Sequence, residues 1–226
     1  MGTPTKYHFD LPASGRPRPF GIKEEWYPGV EDHWADSTSS RRYDSLLGVR
    51  GVVIHATAGG SSSGAMSVMK AHKASWHWLI PDENEAQHGD FVWACAPERR
   101  AAWHVRNSQS HPMLWSGNRF INHWTVGIEV VNQQVPTDSF SDWQVAATAE
   151  IVRYCWAKYP NLKHVFSHAM VDPTRRTDPG THFPWDDFSK AVLNGPVPKA
   201  HPKIASATPM SQLTAGGSQD DCCMIT

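Results

Sequence analysis

Val126-Gly127-Ile128-Glu129-Val130-Val131 is the most strongly β-patterned stretch of this chain, and it holds a residue out of keeping with the rest. A short apolar, β-branched run of this kind marks a strand inside a sheet. An ionised Glu129 in such surroundings costs several kcal/mol unless something compensates it. Two compensations are open. One is a salt bridge on the solvent face of the sheet, since Glu129 alternates with Ile128 and Val130; the other is a catalytic setting beside a metal ion, where a carboxylate moves protons.

Outward from this strand, elements of two kinds take turns. Val52-Val53-Ile54 is a second β-branched run, and Trp76 to Ile80, Phe91 to Ala94 and His164 to Phe166 are further strand candidates. Ser62 to Lys73 reads as a helix. Ser141 and Gln144 form a capping box that opens a long helix through Trp143, Ala147, Ile151, Tyr154 and Cys155. Pro184-Trp185 opens a last short helix running through Phe188 to Leu193, with proline suited to a first-turn position. The alternation predicts an α/β fold: one domain, with a central mixed β-sheet flanked by helices.

The chain of 226 residues has a formal net charge of −1, with its lysines and arginines scattered, so nothing in it forms a basic footprint for nucleic acid. No apolar stretch reaches the length of a transmembrane helix, and the first thirty residues lack the apolar core of a secretory signal. The expectation is synthesis in the cytoplasm without a signal peptide. Residues 1–47, rich in Pro, Gly, Ser and charge, read as an irregular arm, and residues 195–226 as a disordered tail. Four cysteines make no disulfide framework. Cys223 to Thr226 formally fits a prenylation box, with Cys222 as a second lipid site, although a plain polar tail explains the same residues. Eleven tryptophans, several in polar contexts such as Trp103-His104, Trp115-Ser116 and His123-Trp124, raise the alternatives of sugar-stacking rings and ordinary core anchors.

His55 follows Val52-Val53-Ile54 and precedes Ala56-Thr57-Ala58-Gly59-Gly60, so it stands where a buried strand gives way to an open loop. Alone it proves little. His168 and Asp178 bracket a segment that leaves a strand, passes through Pro173 and ends in the turn Asp178-Pro179-Gly180, a length able to bring Asp178 back to His168. Two imidazoles and a carboxylate are the ligand set of a catalytic zinc site, which keeps its fourth position for water or substrate.

These residues fall into ordered blocks. Val53 to Ala58, Ala102-Trp103-His104, Val126 to Glu129, and Ser167-His168 with Arg175 to Gly180 resemble, in sequence, the motifs of the type-2 N-acetylmuramoyl-L-alanine amidases. That family includes AmpD-like recycling enzymes, phage endolysins and animal peptidoglycan-recognition proteins, and the resemblance covers residues 48–194. It implies Zn2+ held by His55, His168 and Asp178, and Glu129 as general acid/base. Where members commonly carry a lysine for the oxyanion, this chain has Arg176, which keeps the charge on a planar fork. Where some phage members have a tyrosine, it has Trp76 before His77, and His77 itself reads as structural. His104 and Asn122 lie in blocks that approach the cleft in similar proteins and become candidates for substrate contact. His182 is a further candidate to face the site.

The implied function is hydrolysis of the amide between N-acetylmuramic acid and L-alanine in peptidoglycan or muramyl peptides. The alternatives are a module that binds peptidoglycan without cutting it, and a zinc hydrolase for another amide. Three settings fit: cytosolic recycling, phage lysis, and an antibacterial effector with a delivery or immunity partner. The arm and tail favour the last two.

Overall fold

Six consecutive buried residues, Gly51–Ala56, form the strand around which the computed structural model is organised; residues 4–30, 34–86 and 91–195 are described. In chain order the strands are β1 (His8–Asp10), β2 (Glu24–Trp26), β3 (Thr38–Ser40), β4 (Gly51–Ala56), β5 (Trp78–Ile80), β6 (Val92–Ala94), β7 (Arg100–Ala102), β8 (Thr125–Val130) and β9 (His164–Ser167). The helices are α1 (Ser62–Lys70), α2 (Asp142–Lys158), α3 (His168–Val171) and α4 (Trp185–Asn194). Seven strands make one mixed sheet in the order β1-β9-β4-β8-β5-β6-β2, while β3 and β7 pair separately. The expected α/β architecture is therefore the observed one.

β4 runs parallel to both β9 and β8, and all six residues of both β4 and β8 are buried. Strands covered on both faces carry apolar residues at nearly every position, which is why these two stand out in the sequence. One face sends Val52, Ile54, Val126 and Ile128 into a core closed by α2 and α4. On the other face Val53 and Phe166 pack against Val105, Leu114, Ile121 and Val171, while α1 adds Met66 and Met69 to a cluster with Leu79 and Trp93. The capping box of α2 forms, with Gln144 N–H donating to Ser141 Oγ and Ser141 N–H to Gln144 Oε1.

Several expectations need correction. The arm is less irregular than its composition implies: β1 and β2 form the two outer edges of the sheet, and β3 pairs antiparallel with β7, a strand also missed. Strands of three residues are too short to display a period, and their backbone pairing needs no side-chain pattern. α1 stops at Lys70 because the chain turns at His72, whose φ of 57° is left-handed. Of the tryptophans set in polar contexts, Trp124 is buried under a stacked Tyr43, and Trp103 donates its indole N–H to Ser39 Oγ. Both are anchors. The tail beyond residue 195, with Cys222 and Cys223, lies outside the described residues. Among the described residues, no helix is long and apolar enough to cross a membrane.

Candidate active site

Parallel pairing brings the site together at the carboxyl ends of three adjacent strands. In register, His55 of β4 lies beside Glu129 of β8, and Ile54 lies beside Ser167 of β9, so His168 emerges next to His55. Side chains two apart share a face, and Gly127 occupies the position before Glu129 on that face. A Cβ there would meet the His104 ring at 2.6 Å, so only glycine lets this imidazole lie against the strand.

Asp178 returns to His168 as the loop length suggested: its carbonyl accepts the N–H of Ala169 at 3.1 Å. The loop is shaped by a residue that sequence reasoning passed over. Asp172 is buried, accepts from Arg106 Nη2 and Nε at 2.6 and 2.8 Å, and its carbonyl accepts the N–H groups of Arg175 and Arg176. Asp172 thus clamps the turn that separates the two residues flanking it.

His55 Nδ1, His168 Nδ1 and Asp178 Oδ2 converge, with separations of 2.9, 3.0 and 3.3 Å. A tetrahedral ion with bonds of about 2.0–2.2 Å spans ligand edges of roughly 3.4 Å, so the three donors fit around one such ion. The state of His55 follows from a hydrogen-bonded chain. Thr125 Oγ1 lies 2.9 Å from the carbonyl of Ile121, which only accepts, so the hydroxyl donates there. It therefore accepts from His104 Nε2–H at 3.1 Å, leaving His104 Nδ1 to accept from His55 Nε2–H at 3.0 Å. His55 Nδ1 then presents a bare lone pair to His168 and Asp178. A cation satisfies that arrangement, and locking a ligand's tautomer through its second nitrogen is how metal-binding histidines are held.

The electrostatics agree. Burial, with His168 beside it, lowers His55 to about 4, and burial together with His55 and His77 holds His104 well below the ordinary imidazole value. Both rings are neutral, as ligation requires. Burial alone would raise Asp178, yet its contacts with His168 and His55 outweigh burial and hold it well below the carboxylate range, a pull that a cation must supply once both imidazoles are neutral ligands. Glu129 moves the other way: burial, then the neighbouring Asp178, raises it well above its usual value against a smaller pull from Arg176. Two carboxyl groups with opposed shifts are suited to different tasks, one as a permanent anion and one as a proton carrier.

The cleft above these groups has a volume of about 480 Å3, and Glu129, His104 and Arg176 line it together with the converging triad. Glu129 thus faces the cleft, which removes the solvent-face salt bridge as its explanation. Trp76 and Gln134 also line it and had not been expected. Asn122 does not: its amide is buried and engaged with the backbone of Val105, accepting at 2.9 Å and donating at 2.7 Å. It anchors the loop after His104 rather than contacting a substrate. His182 is exposed and is not part of the cleft lining. His77 is structural, its Nδ1 accepting from Gly127 N–H and its Nε2–H donating to the Arg100 carbonyl.

Comparison with known proteins agrees with this geometry. Residues 45–181 match the family model described as N-acetylmuramoyl-L-alanine amidase. The chain is 27% identical over 151 residues to the N-acetylmuramoyl-L-alanine amidase AmiD of Escherichia coli, covering 63% of this chain and 52% of that protein. It is 31% identical over 121 residues to the 1,6-anhydro-N-acetylmuramyl-L-alanine amidase AmpD of the same organism, covering 53% of this chain and 59% of that protein. The chain thus spans little more than half the length of these relatives. The structure of E. coli AmiD in complex with anhydro-N-acetylmuramic acid-L-Ala-D-gamma-Glu-L-Lys superposes with a TM-score of 0.54 at 25% identity, over 64% of this chain and 58% of that one. AmpDh3 of Pseudomonas aeruginosa shares the fold, with a TM-score of 0.58 at 23% identity over 69% of this chain and 63% of that one. Sequence blocks, sheet order and converging side chains lead to one assignment: the chain belongs to the N-acetylmuramoyl-L-alanine amidase family.

Proposed function

We propose that this protein is a zinc-dependent amidase that cleaves the bond between the lactyl group of N-acetylmuramic acid and L-alanine in peptidoglycan. The observation that carries the reading is the convergence of His55 Nδ1, His168 Nδ1 and Asp178 Oδ2 to within 3.3 Å of one another, beside a buried Glu129 whose carboxyl is held well above its usual value. In this reading His55, His168 and Asp178 hold Zn2+. When bound, zinc acidifies water to a pKa of about 7 and polarises a carbonyl. Glu129 accepts the proton of the attacking water and returns it to the L-alanine nitrogen as the amide breaks. Arg176, in the cleft wall, offers its guanidinium to the charge developing on the carbonyl oxygen. His104, also in the cleft wall, keeps His55 in the ligating tautomer and acts as a positioning residue.

Purified sacculi test the proposal. The protein should release stem peptides bearing a free N-terminal L-alanine, lose that activity on chelation and regain it with added zinc. Retention on sacculi without peptide release by the zinc-loaded protein would make it a binding module instead. We infer action on the wall itself, in lysis or after delivery, the settings that the arm and tail flanking residues 48–194 favour. Faster turnover of soluble anhydromuramyl peptide than of sacculi would favour recycling.

A further inference from the structure

At the far edge of the sheet β1 pairs antiparallel with β9, with Asp10 directly opposite His164 and His8 opposite Phe166. Residues two apart on a strand share a face, and directly opposed residues share it too. His8, Asp10 and His164 are therefore thrown together. His164 Nδ1 lies 2.8 Å and His8 Nε2 3.1 Å from Asp10 Oδ1, and the two nitrogens are 3.3 Å apart. We propose that this cluster is a second zinc site, separate from the cleft, in which the ion staples the N-terminal arm to the strand that delivers His168.

The donor atoms are spaced for one ion. Their separations match those of the cleft cluster, 2.9, 3.0 and 3.3 Å, and both fit the edges of one tetrahedral ion. Two imidazoles and one carboxylate suit zinc and its neighbours better than calcium or magnesium, which take oxygen ligands. Without a cation, two ring nitrogens 3.3 Å apart crowd onto one carboxylate oxygen that each can reach. With one, each lone pair has a partner.

The rings are also held in place. His8 stacks on Phe166 at 4.8 Å, and His111 packs edge-on to the same phenyl at 4.9 Å. The His8 side chain is 17% exposed, so the stacked ring has little room to turn its Nε2 away from Asp10. Asp10 is 67% exposed, which leaves the fourth position to water. The backbone already ties the arm here: Tyr7 N–H donates to Ser167 Oγ at 3.0 Å, and Ser167 N–H to the Tyr7 carbonyl at 2.9 Å. An ion at His164 would reinforce that join four residues before His168. The site takes no part in the reaction proposed for the cleft and stands whether or not that reaction occurs.

The test uses the full chain carrying Asp178→Ala, which cripples the cleft cluster, stripped with chelator and titrated with Zn2+ alone. It should bind one equivalent and melt at a higher temperature as zinc is added. Side-chain nitrogen NMR should show His8 ligated through Nε2 and His164 through Nδ1. Adding His164→Ala should abolish binding, as should Asp10→Asn, which keeps the side-chain shape in case the histidine change loosens β1. In the otherwise native chain, two equivalents should fall to one with either variant. No binding by the Asp178→Ala protein at micromolar zinc, or binding that leaves the His8 and His164 resonances unmoved, would overturn the proposal.

Discussion

β9 carries a histidine of each of two clusters, His164 as its first residue and His168 directly after its last. Each cluster joins two imidazoles to one aspartate, at separations of 2.9 to 3.3 Å in the cleft and 2.8 to 3.3 Å at the sheet edge. Their surroundings differ. The cleft cluster is buried, has Glu129 on the adjacent strand and has its first histidine locked through His104 and Thr125. The edge cluster opens to solvent through Asp10 and stacks on a phenyl ring. Donor type and spacing decide which ion fits; a buried proton carrier beside an enclosed space decides whether that ion can do chemistry.

Emptying one cluster at a time should separate their roles most visibly. Asp178→Ala should abolish sacculus digestion, whereas His164→Ala should leave it within a few-fold of the parent. Turnover and bound zinc measured on both proteins check this; equal losses would mean that the edge cluster serves the reaction. Next in size is Arg176→Ala, which should lower turnover by roughly 10² to 10³ with zinc content unchanged, the loss expected for one donor aimed at an oxyanion. Arg176→Lys should recover much of it if charge alone matters, and little if the planar fork is required. Loss of zinc in Arg176→Ala would recast the residue as support for the ligand loop.

Smaller again is the effect expected at Gly127, where the extra methyl strikes the His104 ring. Gly127→Ala should destabilise the fold by about 1–3 kcal/mol through overpacking. By displacing the ring that orients His55, it should also weaken zinc binding by roughly 10- to 100-fold. Denaturant melts and a zinc competition titration read the two effects separately. A protein that melts earlier yet keeps full zinc affinity would show that the His104 contact does not set the ligand.

How much of this was legible in the sequence depends on what holds each part. β4 and β8 are covered on both faces, so their apolar runs announce them, and His55 and Glu129 stand out as exceptions within or beside those runs. The loop from His168 to Asp178 is local, and its turn residues show that it closes. β1, β2 and β3 are held by backbone pairing at sheet edges and leave no period to detect. Asp172 and Arg106 meet across 66 positions, and His104 reaches His55 across 49, so neither contact has a local signature. Asn122 was misassigned because lying in the right block does not say which way a side chain points. His8 and Asp10 are spaced to share a strand face, but the pattern acquires meaning only once His164 is known to lie opposite.

Glu129→Gln tests the central claim most directly, because it removes the proton carrier while keeping side-chain shape and every proposed zinc ligand. With bound zinc and sacculus turnover measured on the same preparation, stoichiometric zinc in the cleft should accompany turnover reduced by roughly 10² to 10⁴. Turnover within a few-fold of the parent in a zinc-loaded Glu129→Gln protein would contradict the account.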